Sequence, residues 1–173
     1  GCIIAPYVYE KVPVDGMILL AGVAEPLSDT LAWQREQISK DIQSLQGFQG
    51  WITRLLKIDE KINKMNDDLK KALLASDEPV IKHKGKKINA KWNRESIQFD
   101  VSEPLQLVTC PVLAITGSKD VNVKVTDLHK IKALVAGECE THVIKDMTHM
   151  LRKTDVEYSI SKIMNNNKKS VKQ

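Results

Sequence analysis

The sequence has no long apolar run, and this is its most restrictive absence. Residues 17–21 are the longest uninterrupted apolar stretch in the 173-residue chain, far short of the roughly 20 residues that a spanning helix requires. No transmembrane segment and no membrane partner are expected. No basic region followed by a secretory-type apolar stretch opens the chain, and Gly1 stands where a methionine would begin a complete reading frame, which points to a piece of a longer protein. The cysteines Cys2, Cys110 and Cys139 lie far apart without CxxC spacing, so reduced, buried thiols in a cytoplasmic compartment are the expectation. His83, His129 and His142 have no second His, Cys or carboxylate at ligand spacing. They read as surface or strand-face residues, and neither a metal nor a cofactor is expected. Internal repeats are absent, and low complexity is confined to the tail.

The chain is 42% apolar, enough to bury the core of one domain. Its formal charge of +4 gathers largely in segments 82–91 and 162–172, a modest excess that argues weakly for any anionic partner. Three β-branched, apolar runs, 14–21, 111–116 and 142–144 with its neighbours, each end in turn signals and read as short buried parallel strands. Between the second and third, Leu128, Ile131 and Leu134 or Val135 share a helical face before Gly137 stops it, which makes a β-α-β unit. Val156, Ile160 and Ile163 fall at helical spacing, and the lysine-rich end 165–173 is expected to fray.

Segment 27–103 has a different character, rich in Gln, Lys, Glu and Leu, and reads as an insertion between the first two strands. Leu31, Ile38, Ile42 and Leu45 form one amphipathic set, and Leu55, Ile58, Ile62, Met65, Leu69 and Ala72 another, so two helices are expected there. Met65 reads as core filler rather than as a ligand. Asp77, Pro79 and Gly85 break the pattern, leaving 77–92 as a loop or short hairpin. Its lysines, KHKGKK at 82–87, together with Trp92, invite a nucleic-acid reading. A solvated loop is the simpler account, and no nucleic-acid partner is expected.

Two stretches carry the chemistry. CPVLAITGSKDV, 110–121, runs a strand into a glycine turn with Asp120 just beyond, and VIKDMTHML, 143–151, places His149 five residues after another strand ends. Strand carboxyl ends are where active sites assemble in open α/β sheets. The alternative reading makes Asp120 a turn residue capping amides before Val125, and His149 a partly buried loop histidine.

Together these segments resemble the C-terminal half of the α/β-hydrolase family, in which the acid precedes the histidine in the chain. PVDGMILLAGVAEPL resembles the strand after which many members insert a helical cap. The resemblance implies an α/β fold with about three parallel strands and flanking helices, a core of 1–26 and 104–173, and a cap of 27–103. It also implies that Asp120 orients His149, and that His149 moves the proton of a serine in a G-x-S-x-G elbow. No such elbow occurs in this chain, since Ser118 lies in TGSKD. GCIIAPYVYEK resembles the helix following the elbow, so Gly1 would be its last glycine and the nucleophile would lie two residues upstream.

The implied parent is a serine hydrolase acting on carboxylic esters, or on amides or peptides, through an acyl-serine intermediate. The chain alone, without nucleophile or oxyanion hole, is expected to be inactive. A different reading makes it an interaction module binding a protein through the helical insertion. In either case the first strand is expected to present an open edge, to be met by the missing half or by a second copy.

Overall fold

The three apolar runs assemble into one parallel sheet in the computed structural model of the protein, which describes residues 1–155. The chain opens with α1 (Ala5–Lys11) and β1 (Met17–Leu20), followed by α2 (Leu27–Ser44), α3 (Gly47–Leu55) and α4 (Ile58–Leu74). A hairpin, β2 (Val80–His83) and β3 (Lys86–Asn89), leads into α5 (Ala90–Gln98) and α6 (Ser102–Leu105). Then come β4 (Val112–Gly117), α7 (Asp127–Leu134) and β5 (Cys139–Ile144). The sheet order is β1-β4-β5, with Met17 beside Val112 and Val112 beside Cys139. The protein is thus mixed α/β, a parallel three-stranded sheet with flanking helices and a largely helical insertion between its first two strands. No helix among the described residues is long and apolar enough to cross a membrane. The helical spacing at Val156, Ile160 and Ile163, and the lysine-rich end, lie outside the described residues.

The core sits on one face of this sheet. Leu19 and Ala114, which share a face by register, pack with Leu105, Val108, Leu128 and Ile131, all at most 2% exposed. Strands buried on both faces were expected, but β1 alternates buried and exposed: Ile18 is 64% and Leu20 43% exposed. The reason is that only one face of β1 is packed among the described residues, and its outer edge pairs with no described strand. The expected β-α-β unit is present as β4-α7-β5, with α7 packed on both strands.

The insertion departs from the two helices expected. Lys57, at φ 49°, interrupts the apolar stripe between α3 and α4, because a left-handed residue cannot continue a right-handed helix. Leu55 and Met65 face outward, at 63% and 49% exposed, so they do not pack as the stripe implied; Leu73, at 2%, is the buried anchor of α4. The 77–92 segment is a hairpin whose two turn residues, Lys84 and Gly85, both have positive φ, as a type I′ turn requires. Trp92 belongs not to this loop but to α5, capped by the Asn89 side chain accepting from the Trp92 amide at 3.0 Å. Arg94 binds the helices and hairpin together by donating to the carbonyls of Leu73, Ser76, Asp77 and Glu78 at 2.6–3.1 Å.

Candidate functional site

Asp120 and His149 meet at the carboxyl edge of the sheet. One carboxylate oxygen of Asp120, Oδ2, lies 2.9 Å from His149 Nδ1. The other, Oδ1, accepts the amides of Asn122 at 2.8 Å and Val123 at 3.0 Å. Asp120 therefore caps the turn before Val125 and faces the histidine at the same time. Its side chain is wholly buried, while that of His149 keeps about a third of its surface. An ionised carboxylate can only accept, so a neutral imidazole in this pair carries its proton on Nδ1 and leaves the Nε2 lone pair free.

Each of the four residues after Thr116 contributes to this meeting. Gly117 lies so close to Met147 that an added Cβ would overlap the Met147 carbonyl oxygen and sit 2.5 Å from its carbon. The Ser118 amide donates to the Ile144 carbonyl at 3.0 Å, and its hydroxyl accepts the Asp146 amide at 2.8 Å. The Lys119 amide donates to the Met147 carbonyl at 3.0 Å. His149 rides on a narrow loop closed by an antiparallel bridge between Met147 and Lys153, with the Thr154 amide donating to the Asp146 carbonyl at 2.9 Å.

A cleft of about 380 Å³ opens beside His149, lined by Gly1, Cys2, Leu20, Ala21, Val23 and, from α2, Leu27, Thr30 and Gln34. Burial raises the Cys2 thiol pKa, opposed by its hydrogen bond to the Leu20 carbonyl, so it is a poor nucleophile at neutral pH. Gln34 donates to the Asn122 carbonyl at 2.7 Å. Glu25 receives both Lys124 and Lys130 at 2.6 Å. Burial alone would raise the Glu25 carboxyl pKa, yet the two lysines outweigh it and the net shift is downward. Sequence reasoning missed Glu25 and Gln34, whose partners lie about 90 to 100 residues away and leave no periodic signal.

The other candidates are not part of this arrangement. His142 stands on β5 with Nε2 at 2.6 Å from Glu140, His129 is exposed on α7, and His83 is in the hairpin. No cluster of three metal-ligating side chains occurs among the described residues. Trp92 lines a groove with Gly1, Ile4, Leu27 and Phe99, and the hairpin lysines do not. All three cysteines are free thiols, and of them Cys110 alone is buried, Cys2 and Cys139 being half-buried.

No protein-family model matches the chain, and no curated protein is significantly similar to it. Solved structures are similar at low identity. Est1E from Butyrivibrio proteoclasticus, with ferulic acid bound, is 15% identical over 87% of this chain and 49% of its own, with a TM-score of 0.47. An N-formylmaleamic acid deformylase from Pseudomonas putida is 12% identical over 87% and 57%, at 0.41. The protein Rv0554 from Mycobacterium tuberculosis is 13% identical over 99% and 61%, at 0.46. The chain spans about half the length of the first of these and about 60% of the others.

Proposed function

We propose that this chain carries the acid and base of a serine-hydrolase site of the α/β-hydrolase kind, with the nucleophile supplied by the parent protein just ahead of Gly1. The observation that carries the reading is the Asp120–His149 pair, 2.9 Å apart at the carboxyl edge of a parallel sheet, with His149 open to a cleft that Gly1 also lines. In this reading Asp120 holds His149 in the Nδ1–H tautomer. Nε2 takes the serine proton as the serine oxygen bonds to the ester carbonyl carbon. The same proton then passes to the alkoxide as the carbon–oxygen bond breaks, and water repeats the sequence to release the acid. The substrate class is a carboxylic ester, or an amide or peptide, and the insertion between β1 and β4 acts as the cap over it.

The test is hydrolysis of a short-chain nitrophenyl ester by this chain, by a version extended upstream through the elbow, and by that version carrying His149→Ala. Turnover in the extended protein alone, abolished by the substitution, supports the assignment. An inert extended protein, or an indifferent substitution, removes it.

A partner at the open edge is the second reading. Ile4, Val8 and Val12, on α1 and at its two ends, are 50–61% exposed and line a groove with Val14 and Met17, and Ile18 and Leu20 stand exposed on the other face of β1. A patch of this kind is normally covered, by the rest of the parent or by a second copy. Ile18→Lys that leaves sedimentation of the chain unchanged would remove this reading.

A further inference from the structure

The acid and base sit on separate loops, and the pair survives only if the loops keep one register. The His149 loop has a neck formed by Asp146 and Thr154, where the Thr154 amide donates to the Asp146 carbonyl. One side chain grips both sides of that neck. Lys119 Nζ lies 2.9 Å from Asp146 Oδ1 and donates to the Thr154 carbonyl at 2.6 Å. Lys119 is also the residue immediately before Asp120, and its own amide is fixed to the Met147 carbonyl. Backbone and side chain of one residue thus span the gap between the acid and the loop that presents the base.

We infer that Lys119 is a positioning residue, whose ammonium clamps the neck of the His149 loop in the register that brings Nδ1 to Asp120. The inference rests on the proposed role of the Asp120–His149 pair and adds the device that sets its geometry. Two features favour a functional clamp over an ordinary surface pair. The Lys119 side chain is only 23% exposed, so its contact is less screened than those of freely exposed lysines. Asp146 adopts φ 60°, a conformation most residues avoid and aspartate tolerates, and its carboxylate meets the Lys119 ammonium from there. The Lys119 hydrogen bond, more than any other influence, holds the Asp146 carboxyl below its ordinary pKa. A displacement of about 1 Å between reacting groups can cost roughly 100-fold in rate, so a clamp at the neck would govern turnover without touching substrate.

The experiment needs no nucleophile and uses the chain itself. The downfield proton resonance of His149 Nδ1–H, bonded to a carboxylate, is recorded for the unaltered chain, Lys119→Met, Lys119→Arg, Asp146→Asn and the Lys119→Met/Asp146→Asn double variant, alongside amide spectra. The expected result is loss of the resonance in Lys119→Met and Asp146→Asn, no further change in the double variant, and retention in Lys119→Arg, with the amides of β4 and α7 unmoved. Retention in Lys119→Met overturns the clamp, as does loss accompanied by general amide shifts that Lys119→Arg does not restore. If Lys119→Met fails to fold, Asp146→Asn decides by the same criterion. A resonance absent from the unaltered chain sinks the acid–base pair itself, and the clamp with it. A resonance present there but indifferent to both single variants sinks the clamp alone.

Discussion

Gly117→Ala is the substitution whose outcome the structure constrains most tightly. The new Cβ would overlap the Met147 carbonyl oxygen and lie 2.5 Å from its carbon and 3.1 Å from Met147 Cβ. Two of these are backbone atoms, so no rotamer change relieves the contact and the end of β4 must part from the His149 loop. Overpacking of this kind costs about 1–3 kcal/mol. Parting the segments also strains the bonds from the Ser118 amide to Ile144 and from the Lys119 amide to Met147, each contributing about 1 kcal/mol. We expect a loss of about 3–5 kcal/mol, which for a chain of this size lowers Tm by roughly 6–20 °C. The assay is urea and thermal unfolding followed by circular dichroism, with Gly16→Ala as the control. A Cβ at Gly16 would meet only the Pro111 carbonyl oxygen at 3.6 Å, ordinary contact, so the control should stay within about 0.5 kcal/mol. A Gly117→Ala protein within about 1 kcal/mol of the unaltered chain would refute the close-approach argument.

Asp127 gives a prediction in pH. Neither of its carboxylate oxygens has a hydrogen bond of good geometry, and the Lys130 ammonium stands 3.7 Å away. Burial, then the charge of Glu25, raises its pKa against the opposing pull of Lys130 and Lys124. A raised carboxyl pKa in the folded state means that stability is lost as pH rises from the unfolded value through the folded one. Asp127→Asn should therefore unfold at higher urea than the unaltered chain at pH 7, with the gap closing on acidification; an unchanging gap would refute the account. Arg94→Met removes donors from four carbonyls and should cost about 2 kcal/mol, read as faster amide exchange at the end of α4. Arg94→Lys should not restore it, because one ammonium lacks the planar fork that serves several acceptors.

The strands, α7 and the Asp120–His149 pair were legible because each has a local signature. β4 is an apolar run ending at a glycine, α7 has apolar residues at helical spacing, and the two site residues follow strand ends. The hairpin was legible as one of two options, since Gly85 breaks the helical pattern. The division of the insertion was not legible, because the residue that interrupts it is Lys57, an ordinary helix former held at φ 49° without a sequence mark. Nor was the outward orientation of Met65, since a stripe of apolar residues does not say whether anything lies opposite it.

What the sequence determined by itself was the order of the three sheet strands and α7, and the choice of Asp120 and His149 as the residues to watch. Strand, turn and helix signals act over a few residues, and the chemistry of Asp and His is theirs wherever they stand. The tertiary structure alone decided that Gly117 is a contact glycine, that Lys119 spans two loops, and that Glu25 gathers Lys124 and Lys130. Those relations join residues distant in the chain through distances of about 3 Å, and they exist only once β4 and β5 have paired and the loops beyond them have been brought together.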